Sequence, residues 1–248
     1  MTFNLTVSPD FAPDHISGWY FFNTWLQRKL DIGIHLELYD NFDAQRNDIR
    51  ADKFDMIYAN PYDASMLVRD MGFQAIARPA SKPDETVIAV NAESSFQTVE
   101  DLAVGSRIAT TDDPDVHTMG MIMLESADLD KSNTDIKQHS SYVVVAKNLL
   151  NGDADAGFFL KEAYDELSEL IRSKMRVLVS SEISVVHHSL LVGPRMAEHI
   201  PAIQAALLTM QDDEKGKGVL ESMDIEHWEP MDSEQTEFMI DLIDTLIE

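Results

Sequence analysis

The chain contains no cysteine, which excludes disulfides, thiolate zinc sites and cysteine nucleophiles and leaves the redox compartment open. Positive charge is scarce. Nineteen Lys and Arg stand against 44 Asp and Glu, and the resulting net charge of −25 repels nucleic acid and anionic membrane surfaces. No apolar stretch in the sequence approaches the roughly 20 residues a helix needs to span a bilayer. The ten glycines form no GxGxxG, no phosphate-binding loop and no GxSxG elbow, so the common nucleotide-dependent and serine-hydrolase signatures are missing. The eight histidines include no HExxH, and the acidic residues lack EF-hand spacing, so neither a metal nor a cofactor is expected. A secretory signal is also missing: Met1-Thr2-Phe3 leads into NLTVSPD with no basic or apolar leader. With Met1 as the native start, the expected location is the cytoplasm.

What is present is a globular composition, 44% hydrophobic and 25% charged over 248 residues, enough for one large domain or two lobes. FNLTV reads as a strand, ISGWYFFNTWLQRKL as an amphipathic helix and GIHLELY as an alternating strand. The alternation continues through strands DMIYA, FQAIARP, TVIAV, RIATT, DIKQH, DAGFF and RVLVS. Between them, helices are expected near 43–52, 62–71, 118–127, 142–150 and 160–172. Strands alternating with helices predict βαβ units and mainly parallel sheets. After VVHHSLLVG, two amphipathic segments, 195–210 and 233–247, read as a terminal helical cap.

The stretches SPDFAP, YANPYDAS and NGDADAG, in this order, resemble the phosphonate, phosphite and phosphate substrate-binding proteins of ABC transporters. The resemblance runs from about Thr6 to Pro194 and implies an α/β, two-lobed type II periplasmic-binding-protein-like fold. Each lobe would be a mainly parallel sheet flanked by helices, with ligand in the interlobe cleft. Lobe one would be residues 1–86 with 190–248, and lobe two 87–189, with ETVIAV and VHHSLLV as the crossing strands. The implied function is solute capture without chemistry, for transport or for sensing; the alternative is an enzyme on the same lobed fold, of transferase or thiamine-pyrimidine synthesis type. The implied partners are a small-molecule ligand and either a transporter permease or a cytoplasmic signalling protein. By resemblance the location would be periplasmic, against the cytoplasmic expectation drawn from Met1.

The same resemblance marks candidate contacts. Tyr62 of YANPYDAS would be the lobe-one aromatic facing the ligand; its place after Pro61 at a strand-to-helix junction also suits a cleft. DPDVHTMG aligns with a hydroxyl-rich loop whose side chains and helix N-terminal amides hold an anionic head group. Thr118 would be the helix N-cap or the remaining hydroxyl donor, with Val116 and His117 where hydroxyl residues are usual. Tyr142 stands ten residues before Gly152, where the family has a histidine, and Phe158 and Phe159 follow DADAG in place of polar residues. On a strand these two phenylalanines alternate faces, so one is core and Phe159 would face the ligand. Phe11, in the loop after the first strand, completes the set of ligand-binding candidates. The departures predict weak binding of simple phosphonates and a ligand with an apolar or planar body and one acidic group. His187 and His188, adjacent on a strand, are expected to point to opposite faces and not to share an ion.

Overall fold

The computed structural model describes residues 2–11 and 13–247. The chain divides into two units, Met1–Lys82 with His187–Asp244, and Pro83–Val186 with Thr245–Glu248. Unit 1 opens with β1 (Thr2–Val7), α1 (Ile16–Leu30), β2 (Gly33–Leu38), α2 (Phe42–Arg50), β3 (Met56–Ala59), α3 (Pro61–Arg69) and β4 (Gln74–Pro79). Unit 2 holds β5 (Thr86–Asn91), β6 (Arg107–Thr110), α4 (Pro114–Leu124), β7 (Asp135–Gln138), α5 (Tyr142–Asn151), β8 (Ala156–Leu160), α6 (Lys161–Glu166), α7 (Glu169–Arg172) and β9 (Met175–Ser180). The chain then returns to unit 1 with β10 (Ser189–Val192), α8 (Ile200–Leu208), α9 (Glu214–Ser222), β11 (Trp228–Pro230) and most of α10 (Ser233–Ile247).

Both sheets are mixed. In unit 1 the order is β11-β4-β10-β3-β1-β2. β1 pairs in parallel with β2 and β3, while β10 runs antiparallel between β3 and β4. In unit 2 the order is β7-β6-β8-β5-β9, with β6 parallel to β7 and β8, and β5 antiparallel to β8 and β9. The strands expected to cross between lobes are thus internal to one sheet each: β5 belongs to unit 2 and β10 to unit 1. The chain changes units just before each of them, at Lys82–Pro83 and Val186–His187.

In unit 1 the sheet is covered on both faces, and its inner strands MIYA and SLLV are nearly continuous apolar runs, whereas the edge strand GIHLEL alternates. One face packs Phe22 and Leu26 of α1 and Ile203 of α8 over Leu5, Val7 and Leu190, with Trp228 in the same cluster. Ile49 of α2, Leu67 of α3 and Met239 of α10 join Ile57 and Leu191 in a second cluster. Gly18 lets α1 approach α9, since a Cβ there would collide with the Ser222 carbonyl. In unit 2, Val145 and Leu149 of α5 pack with Ile88, Ile108 and Phe158 of the sheet. The helix expected over 160–172 is two short helices separated by extended Leu167 and Ser168.

Candidate functional site

Loops after parallel strands are where α/β folds place ligands, and each unit builds a polar cluster there. In unit 1, β1 and β3 are neighbours, and the Ser8 N–H donates to the Tyr58 carbonyl at 2.8 Å. Asn60 caps α3, its Oδ1 accepting from Asp63 N at 2.8 Å while its Nδ2 donates to Ser8 Oγ at 3.3 Å. Both Asn60 and Ser8 are buried. The next acidic residue, Asp10, lies with Oδ2 3.0 Å from His188 Nε2, and both side chains are almost wholly enclosed. The imidazole of His188 stacks on Tyr58 with centroids 5.2 Å apart, and Tyr58 in turn meets Trp19 at 4.7 Å. Burial alone would raise the Asp10 carboxyl, but the charge and hydrogen bond of His188 and the Ser8 hydroxyl together hold it below the usual carboxylate range.

Phe11 is half-buried against Trp19, centroids 6.5 Å apart, and so belongs to this cluster. Tyr62, in the first turn of α3, is 40% exposed. Its ring is braced by the Arg46 guanidinium at 5.1 Å, which Asp63 fixes with two hydrogen bonds of 2.6 and 3.0 Å. His187 and His188 have different surroundings. Burial, with repulsion from Arg78, pushes His187 down to about 4.

In unit 2 the helix over the quoted DPDVHTMG stretch begins earlier than expected. Asp113 is the N-cap of α4 and Pro114 its first helical residue, so Thr118 lies in the second turn and caps nothing. Asp113 Oδ1 accepts from the N–H groups of Asp115 and Val116 at 3.1 and 3.2 Å, and the Tyr142 hydroxyl donates to Oδ2 at 2.8 Å. The carboxylate is 2% exposed. The position at which a helix dipole and free amides would receive a ligand anion is therefore filled by the chain's own anion.

Of the other unit 2 candidates, Val116, Tyr142 and Phe159 are brought together, but in the core. They are 1%, 8% and 0% exposed. The Phe159 ring lies 6.0 Å from Tyr142 and 5.4 Å from Tyr164. Phe158 is equally buried, against Gly120, where any Cβ would strike its ring. The expectation that only one of the two phenylalanines would be core fails because β8 is central and covered on both faces. His117 and Thr118 remain half-buried on α4. Burial and the nearby Lys131 keep the His117 imidazole below its ordinary value. The sequence does not single out Asp113, Asp10 or Tyr58, and it offers His188 only as a strand histidine that shares no ion with His187. The Asp-Pro pair before α4 was the one local signal available.

A family model described as ABC transporter, phosphonate, periplasmic substrate-binding protein matches residues 5–236. No curated protein matches the chain by sequence. Among solved structures, PhnD1 from Prochlorococcus marinus (MIT 9301), in complex with methylphosphonate, is similar with a TM-score of 0.84 at 14% identity, over 99% of this chain and 98% of that one. The binding protein component of a Pseudomonas aeruginosa ABC phosphonate transporter gives 0.81 at 15% identity, covering 99% and 85%. The alkanesulfonate-binding protein SsuA from Xanthomonas axonopodis pv. citri, bound to MOPS, gives 0.67 at 14% identity, covering 99% and 93%. At such identities these likenesses show the fold, an α/β arrangement of two mixed sheets flanked by helices. The family match overturns the expected cytoplasmic location, because the family is one of periplasmic proteins and the bare Met1 carries no weight against it. By its motifs, its fold and this match over most of its length, the chain belongs to the phosphonate-type periplasmic substrate-binding proteins of ABC transporters.

Proposed function

We propose that the protein captures a small solute without chemistry, for delivery to a transporter permease, and that this solute is not held as an anion on the start of α4. The observation that carries the second part is Asp113. Its buried carboxylate already accepts two of the first amides of α4 and the Tyr142 hydroxyl. A phosphonate brought to the same amides would meet a like charge where the methylphosphonate-type ligand needs donors. Replacing one charge-assisted hydrogen bond by none loses about 1.5 to 3 kcal/mol, and each 1.4 kcal/mol is tenfold in affinity. The reading therefore favours a solute with little negative charge, contacted in unit 1 through residues that remain accessible, such as Tyr62 and Phe11. The family membership supports capture rather than catalysis.

The test has two steps. Native mass spectrometry of freshly purified protein identifies any co-purified small molecule. Calorimetry then compares that molecule with methylphosphonate and 2-aminoethylphosphonate. The expected result is clearly weaker binding of both phosphonates. Submicromolar binding of methylphosphonate would overturn the reading.

A further inference from the structure

In unit 1 the outer faces of α1 and α9 enclose an open groove of about 530 Å3, lined by Phe21, Trp25 and Val219 and bordered by Arg28 and Lys215. The close approach at Gly18 holds the two helices side by side. Phe21 is 55% exposed, and Tyr20 and Ile16, one turn apart on the same helix, are 51% and 42% exposed. Three large apolar side chains in one helix are thus left to water, a pattern that marks interaction surfaces. Arg28 follows Phe21 two turns on, at the spacing that keeps both on one face.

The charges around the groove are as informative. Lys29 is committed: it pairs with Asp213 at 3.2 Å and sits 5.5 Å over Trp25, whose indole N–H also donates to Asp213 at 3.0 Å. Arg28 and Lys215 have no carboxylate partner among the described residues, in a chain with 44 acidic side chains. Three cations against one carboxylate make the lining positive inside a protein of net charge −25. Asp212 and Glu214 lie near the start of α9 but do not line the groove. On α9 itself, Gly218 leaves open space where a side chain would stand. No internal contact accounts for a glycine there, and the residue keeps the α9 surface flat.

We propose that this groove docks an acidic segment of a partner protein, one that also presents an apolar side chain to Phe21 and Trp25. An exposed aromatic beside an arginine is the composition of protein-interface hot spots. The groove is too open for a small molecule, whose pockets enclose most of its surface. A second copy is disfavoured because two chains of the same large negative charge repel. Unpaired cations would steer and orient an acidic segment while the rest of the surface rejects other approaches.

The probe is a fluorescein-labelled peptide alternating glutamate with leucine and phenylalanine, with its lysine counterpart as control, followed by fluorescence anisotropy. The acidic peptide should bind and weaken as salt rises. Phe21→Ala and the double variant Arg28→Glu, Lys215→Glu should each weaken it at least tenfold, while circular dichroism confirms that these exposed substitutions leave the fold intact. Absent binding, equal binding of the lysine peptide, or affinity unmoved by the variants would overturn the proposal. So would self-association in sedimentation, or adhesion to phosphatidylglycerol vesicles, that the double variant abolishes, since the groove would then serve a second copy or a membrane.

Discussion

Tyr142 donates its hydroxyl to Asp113 Oδ2 at 2.8 Å, tying the first residue of α5 to the cap of α4. The bond is buried and ends on a carboxylate, so it is of the stronger kind. Tyr142→Phe removes the donor and leaves that oxygen with one partner fewer. We expect a loss of about 1.5 to 3 kcal/mol in urea unfolding. A loss below 0.5 kcal/mol would mean that the pair does not bind the two helices together.

Asp113→Ser keeps an N-cap oxygen but removes the negative charge from the start of α4. Methylphosphonate affinity should then rise, by about tenfold for each 1.4 kcal/mol of repulsion relieved. Calorimetry on parent and variant measures this directly. Unchanged affinity would take Asp113 out of the account of ligand choice.

Acid should act on unit 1 in two stages. His187 is pushed from 6.5 down to about 4 by burial, so the unfolded chain takes up its proton first, and stability is full above 6.5 and lost as pH falls toward 4. The loss is up to about 3 kcal/mol, at 1.36 kcal/mol per pH unit. Asp10, held below the ordinary carboxylate value of 3.8, contributes stability above that value that is lost as pH falls through its lower folded value. In chemical unfolding across pH, His187→Gln should flatten the upper stage, and Asp10→Asn should remove the lower stage. A parent whose stability is level from pH 7 to 4 would refute the assignment.

Two glycine substitutions should move stability in opposite directions. Gly120→Ala drives a methyl group into the Phe158 ring and should cost about 1 to 3 kcal/mol. Gly218→Ala adds a methyl group in open space on a helix and should gain about 0.5 to 1 kcal/mol. Thermal unfolding of the two variants decides it. If both destabilise, the α9 surface is more crowded than its geometry indicates.

Much of the fold was readable because strand and helix periods alternate cleanly, as in GIHLELY beside ISGWYFFNTWLQRKL. α9 was not anticipated, since Gly216 and Gly218 argue locally against a helix and only packing supplies the reason for Gly216, which lies against Met210. The hydroxyl of Thr118 suggests a later start for α4 than the true one, which the Asp113-Pro114 pair marks. Tyr142 and Phe159 looked like pocket residues because a pattern of alternation cannot say that both faces of β8 are covered. The Asp10–His188 pair had no local signature at all: its members are 178 residues apart and meet only through sheet topology.

The antiparallel strand β10, seated between β3 and β4, sets an order of events during synthesis. When residue 186 leaves the ribosome, unit 2 has every strand it needs, while unit 1 has β1 to β4 with its middle strand still unmade. The facing edges of β3 and β4 are then unpaired templates for other chains. The half of the protein made first is thus the half that finishes last. A chain stopped after unit 2 would display one finished sheet and one with a strand-wide gap, so chaperone demand should be set by the first 80 or so residues rather than by the middle of the chain.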